Sequence, residues 1–328
     1  PRWRQNLSDL VDSGVAAIKV YMLSGMDTFR DLTQAEIREV LTQTHRLGIP
    51  VGIHAEDRDL VSELTARAMK RGDDSPAAYA ASRPAEAESS AVLAAVDAAR
   101  ATGARVHIVH LASGEGLDVI SAARLEGLPV SAETCPHYLH FTNDDFEKLG
   151  SLLKTAPVVK GPRDRQRLWQ GLESGELSFV ATDHAAGRWP EEKETGSIWT
   201  DYGGVPGVEL LLPYLHSEGV VKGRITLTRM TELLASEPAR FFGIDHRKGW
   251  LRPGFDADFV VFDEDVRWAV RAEALHNLNR YTPLESAKLI GRVRATYLRG
   301  HSVFERRPEG AEFFAPAGTG QWVRRGVV

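Results

Sequence analysis

Residues 14–22 read GVAAIKVYM, a run that would pass for a buried strand if Lys19 did not interrupt it. Burial disfavours the charged ammonium, so such a lysine needs a partner or a change of chemistry. The layout around it repeats along the chain. Short apolar runs at residues 15–20, 50–54, 105–110, 129–133 and 177–183 alternate with helix-like segments at 33–47, 85–101, 115–126 and 163–172. Thr33 with Glu36 three positions on is a capping-box pattern, and Gly48 is placed to stop that helix. Gly103, Gly127 and Gly175 stand likewise just ahead of the next apolar run. This βα repetition predicts a parallel sheet with covered faces.

Polar residues collect at one end of the predicted strands: Lys19, His54, His110 and Asp183. In parallel barrels that end carries the chemistry, since side chains from several strands converge there. Each residue has an ordinary explanation taken alone. Asp183 could cap the following helix, Lys19 could pair with a neighbouring carboxylate, and a single strand-end histidine is commonly structural. His107 fits that structural role, and His137 and His140 in CPHYLHF fit support of a loop behind the site. Together, two neutral imidazoles and a carboxylate suit Zn²⁺ or a similar divalent ion. A lysine made neutral can react with carbon dioxide to give a carbamate, an anion whose two oxygens can bridge two metals.

The bulk properties narrow the class further. With 328 residues, 43% hydrophobic and 26% charged, the chain can bury a substantial core. A formal charge of -5 gives no reason to expect nucleic acid or an anionic membrane as partner. Cys135 is the only cysteine, which excludes an intrachain disulfide and predicts a reducing, cytoplasmic setting. After about residue 242, KGWLRPGFDADFVVFD and GRVRATYLRGHSVFERR carry the short alternating strands of a small β appendage. The end, EFFAPAGTGQWVRRGVV, shows no pattern and reads as a tail. The expected division is residues 1–245 for the βα part and 246–328 for a sandwich-like appendage with the tail.

GVAAIKVYM, VGIHAED, SRPAEAE, VHIVHLAS, SAETCPHYLHF, LWQGLESGELSFVATDHA, GVPGVELLLP and EPARFFGI occur in the order found in the cyclic amidohydrolases. The chain resembles that family, which contains dihydroorotases, allantoinases and hydantoinases, over nearly its whole length. The resemblance implies an α/β (β/α)8 TIM-barrel fold and hydrolytic opening of a small cyclic amide. It implies a carboxylated Lys19 bridging two divalent ions, His54 and His110 on the more buried one, and Asp183 on the other. Water activated there would attack a ring carbonyl, and Asp183 would carry the proton to the leaving nitrogen. It also places Ser24, Thr155, Ala156, Gly204 and Val205 around the substrate.

The chain departs from that pattern in two ways. The family's first barrel strand ends in His-x-His, which occurs nowhere here, and the Lys19 strand resembles the family's fourth. Three barrel strands and half of the appendage thus lack counterparts. Five strands cannot close an eight-stranded barrel, so the strands of Lys19 and Asp183 should be open edges exposing apolar faces. The expectation is that these residues belong to a longer polypeptide. The alternatives are a second chain, identical or different, that completes the barrel, or a non-catalytic relative without the metal pair. The second departure concerns the ring. Ser24 replaces the tyrosine expected of hydantoinases, and Ala156 in KTAPVVKGPRDR replaces an asparagine expected of dihydroorotases. ETCPHYLHF leans toward allantoinase.

Overall fold

The computed structural model describes residues 3–25, 28–307 and 310–326. Strands β1 (Ile18–Tyr21), β2 (Val51–His54), β3 (Val106–Ile108), β4 (Val130–Thr134) and β5 (Phe179–Val180) form one parallel sheet in chain order. β2, β3 and β5 lie inside predicted runs, and β1 and β4 run one residue past theirs, to Tyr21 and Thr134. β3 and β5 stop earlier than predicted because the chain leaves the ladder. His110 (φ 44°) and Asp183 (φ 45°) adopt left-handed backbone just beyond their strands, a conformation that non-glycine residues hold only where the surroundings impose it.

The helices Gln34–Arg46, Ala85–Thr102, Gly114–Leu125 and Pro162–Ser174 follow the predicted segments closely. The Thr33/Glu36 capping box is formed. Gly103 and Gly175 take the left-handed C-cap that their position called for. Ile37, Leu41, Val92, Val96, Leu117 and Ile120 of these helices join Val51, Ile53, Val106, Ile108, Val130 and Ala132 of the strands in one buried core.

The opposite face of the sheet is different. Register pairs Lys19 with Gly52, Gly52 with His107, and His107 with Ser131, so these four form one row across it. Two residues on, Tyr21 pairs with His54. β1 and β5 are the edges, as expected. The expectation of exposed apolar faces is corrected: Val20 of β1 and Phe179 and Val180 of β5 are buried, and Phe179 packs on His107 and Phe241. The expectation of a buried Lys19 is corrected with it. The lysine is exposed, because it points to the open side of an edge strand.

Past β5 the chain forms short helical pieces, including π-helical turns at Leu215–Val220 and Glu232–Ser236 that periodicity did not indicate. An antiparallel sheet follows, ordered β6 (Phe259–Ala269), β7 (Lys288–Leu298), β8 (His301–Arg306), β9 (Glu312–Phe314). It is a single sheet among the described residues, not a sandwich. The C-terminal stretch is not loose where it is described. Glu312–Phe314 pairs with β8, and the Gly326 amide donates to the Gly243 carbonyl at 2.7 Å. No helix of the described residues is long and apolar enough to cross a membrane.

His276 ties the appendage to the helical region. Its ring nitrogens lie 3.0 Å from Glu209 Oε1 and 2.7 Å from Glu312 Oε2. Burial alone would lower its pKa, but the bonds and charges of Glu312 and Glu209 outweigh this and raise it above 6.5. The stabilisation is therefore full below the ordinary value and lost as pH rises through the elevated one. Thermal unfolding should show a decline in stability above pH 6.5 that His276→Gln removes. An unchanged decline in the variant would place its origin elsewhere.

Candidate active site

His54 ends β2 and His110 follows β3, and their rings meet edge to face. His54 Nδ1 and His110 Nε2 lie 3.2 Å apart. Two nitrogens bound to one tetrahedral Zn²⁺ at 2.0–2.1 Å would be about 3.3 Å apart. The other nitrogen of His54, Nε2, lies 2.9 Å from Glu56 Oε2. A proton held there leaves the Nδ1 lone pair directed at His110. Burial first, then the charges of His54 and Lys19, hold His110 well below the usual imidazole range, so it stays neutral. Its Nδ1 is buried without a hydrogen-bond partner.

Lys19 and Asp183 complete the group. Lys19 projects over Gly52, where an added Cβ would come within 3.6 Å of Lys19 Cδ and 3.2 Å of Val109 Cγ1. The absence of a side chain at Gly52 makes room for the lysine. The lysine tip is open to solvent on one side, yet the protein crowds it on the other, with the Tyr21 ring centroid 4.8 Å from Nζ. Partial burial lowers its pKa while Asp183, Glu133 and Cys135 oppose that shift. For Asp183, burial raises the carboxyl against the charges of Lys19 and His54. Lys19 thus acts electrostatically on both His110 and Asp183, and His54 on the same two residues, at the C-terminal mouth of the sheet.

Among the described residues, no three drawn from His, Cys, Asp and Glu come together as a cation site. What the structure holds is a facing imidazole pair with a lysine and an aspartate beside it. Two imidazole nitrogens facing each other beside a carboxylate are a donor set that fits a divalent ion.

Behind the pair runs a buried polar chain that sequence reading missed. Glu56 accepts from Arg83 Nη1 at 2.6 Å. Burial would push the Glu56 carboxyl up, but Arg83 and His54 hold it far below the usual range. Lys160 Nζ donates to the Arg83 carbonyl at 2.6 Å. Glu88 accepts from the amides of Ala112 at 3.0 Å and Ser113 at 2.6 Å, which fixes the turn carrying His110. Glu56, Arg83 and Glu88 sit in VGIHAED and SRPAEAE, but nothing in their spacing distinguishes a buried carboxylate from a solvated one.

The remaining expected residues are placed as follows. The Ser24 amide donates to Asp31 Oδ1 at 2.6 Å in the loop after β1. Thr155 is buried with its hydroxyl unpartnered, and Ala156 follows it. The Gly204 amide donates to the Lys154 carbonyl at 2.8 Å, joining the two loops. Val205 forms a parallel bridge with His184. His137 is buried, its pKa lowered to about 3 by burial. It lines a cavity of about 20 Å³ with Thr182 and Val205. His107 is structural, bonded to Ser131 at 2.8 Å and stacked on Phe179.

A βα sheet with its polar mouth at the strand C-termini is the architecture of the TIM-barrel amidohydrolases. The chain belongs to the amidohydrolase family, which it matches over residues 2–303. It is 35% identical to an allantoinase of Rubrobacter xylanophilus over 300 residues, 91% of this chain and 66% of the relative. It is 32% identical to an L-hydantoinase of Paenarthrobacter aurescens over 317 residues, 96% of this chain and 68% of the relative. The solved structure of an L-hydantoinase (dihydropyrimidinase) from Arthrobacter aurescens superposes with a TM-score of 0.93 at 31% identity, covering 98% of this chain and 71% of that one. The chain spans just under two thirds of the length of the first allantoinases it matches, 66% and 65%.

Glu56 and Arg83 are buried together, so removing one leaves the other unpaired. Glu56→Ala should destabilise the fold by about 3–5 kcal/mol in denaturant unfolding, and Glu56→Ala with Arg83→Met should recover much of that. Additive losses in the double variant would show that the pair is not coupled.

Proposed function

We propose that the complete protein opens a cyclic amide by metal-assisted hydrolysis, with an allantoin-type ring favoured over dihydroorotate. The observation that carries this reading is the facing pair of His54 Nδ1 and His110 Nε2 at 3.2 Å, with the Lys19 charge acting on His110 and the His54 charge on Asp183. The similarity to allantoinases and an L-hydantoinase supports the ring class.

In this reading His54, His110, a carboxylated Lys19 and Asp183 hold divalent ions, Zn²⁺ by donor type. Such ions supply activated water and polarise the ring carbonyl. The protein's own groups do the rest. The lowered pKa of Lys19 provides the neutral amine that adds to carbon dioxide with loss of one proton. Asp183, raised by burial, takes a proton from the attacking water and passes it to the leaving ring nitrogen. Glu56 keeps the His54 ring turned so that Nδ1 faces the reaction side. The loops of Ser24, Thr155–Ala156 and Gly204–Val205 border the ring, and His137 supports the last of them from behind. In this reading the barrel part runs over residues 1–245 and the appendage over 246–328. The free, buried Cys135 fits a reducing cytoplasm.

A second reading, a non-catalytic amidohydrolase-like subunit, draws on the lack of a three-member His, Cys, Asp and Glu cluster among the described residues. One experiment separates the two. Protein from the complete reading frame is assayed for metal and against allantoin, dihydroorotate and hydantoins. About two divalent ions per chain and turnover of a ring are expected. Lys19→Ala should drop turnover below detection and reduce the metal bound. A metal-free, inactive wild type supports the subunit reading, and full turnover in Lys19→Ala makes the lysine merely structural.

A further inference from the structure

The stretch between Asp183 and Val205 leaves the mouth and returns to it. The Ala185 amide donates to the Val205 carbonyl at 3.0 Å, and His184 Nδ1 accepts the Gly207 and Val208 amides at 3.1 and 3.3 Å. The returning backbone is therefore pinned directly beside Asp183. Its bend is made at Gly204 (φ 148°), where an added Cβ would lie 2.3 Å from the Ala185 carbonyl oxygen. Only glycine fits there.

Two lysines hold this bend from below. Lys193 is fully buried, and its ammonium donates to the Gly204 carbonyl at 2.7 Å. Lys154, also buried, donates through Nζ to the Asp201 carbonyl, while its own carbonyl accepts the Gly204 amide. The Asp201 carboxylate does not cap either ammonium. It accepts from Ser151 and from the Thr195 amide and hydroxyl. Both backbone groups of Gly204 are thus bonded inside the protein, the amide to Lys154 and the carbonyl to Lys193, so the loop is held at this point from two sides.

The geometry points to Lys193 as a positioning residue: by clamping the Gly204 carbonyl, it sets the wall of the ring-binding mouth formed by Gly204 and Val205 beside Asp183. This deepens the cyclic-amide reading and rests on it. A buried ammonium held by a carbonyl, with no carboxylate in contact, is a costly arrangement for a bend that neutral side chains could also support. Burial, and then the charge of Lys154, bring the Lys193 pKa down to about 7 against the pull of Asp201. Burial likewise lowers Lys154 to about 8.

The test uses the full-length, metal-loaded protein with Lys193→Met, which keeps the length of the side chain and removes its donors. Lys222→Met, on the surface beside Glu218, is the control. With whichever ring of the panel the wild type opens, Lys193→Met should raise KM about tenfold while kcat changes less than about threefold and bound metal is unchanged. Amide exchange across residues 185–206 should accelerate about tenfold. A Lys193→Met protein with wild-type KM overturns the positioning role even if its thermal stability falls, as does loss of metal with loss of kcat. If the wild type opens no ring, the cyclic-amide reading fails by itself. The exchange measurement then decides the clamp, and unchanged exchange overturns it.

Discussion

A parallel strand sends alternate side chains to opposite faces, and in this chain that alternation divides packing from chemistry. Val51 and Ile53 of β2 go down into the helices, while Gly52 and His54 go up. The same split places Val106 and Ile108 in the core and His107 on the polar face. A one-residue slip of register would put Lys19 and His54 into the apolar layer, so the core enforces the register that assembles the mouth. The reactive residues are held in place chiefly by hydrophobic residues they never touch.

The polar side needs its own scaffold, because imidazoles in a crowded mouth can turn. Here the scaffold is charged and buried. Glu56 binds one edge of His54 and is itself bound by Arg83. Glu88 fixes the His110 turn through two amides, and Lys160 acts on both carboxylates from between them. Such networks gain rigidity from each satisfied member, although Glu56 Oε1 and Arg83 Nε are buried here without a partner. Each residue therefore supports more than its nearest neighbour, and rigidity at His54 and His110 follows from a set of contacts reaching the loop at residue 160.

The five strands and four covering helices were legible because they rest on local signals: short apolar runs with polar residues at their ends, the Thr33/Glu36 box, and glycines at helix ends. The exposure of Lys19 was not legible, since the period shows which face a residue takes but not what covers that face. The buried roles of Glu56, Arg83 and Glu88 were invisible for a related reason. Charged residues in SRPAEAE look like a solvated helix start until tertiary contacts bury them. The π-helical turns at Leu215–Val220 and Glu232–Ser236 escaped because their hydrogen bonding does not produce a 3.6-residue pattern. The docking of Gly326 on Gly243 depends on a contact remote along the chain, which composition cannot reveal.

The electrostatics around Lys19 also bear on how its modification would be sustained. Asp183 and Glu133 both favour the ammonium form of the lysine, so in the bare mouth they oppose the neutral amine that must react with carbon dioxide. A carbamate there would be a third negative group beside those two carboxylates, and like charges at short range disfavour one another. Divalent cations reverse both objections, because they attract the carboxylates and stabilise the new anion. In the proposed reading, carboxylation of Lys19 and metal binding would therefore be thermodynamically linked, each raising the affinity for the other. His110, kept neutral by burial, would add a ligand there without adding charge, leaving the carboxylates of the mouth to attract the cations.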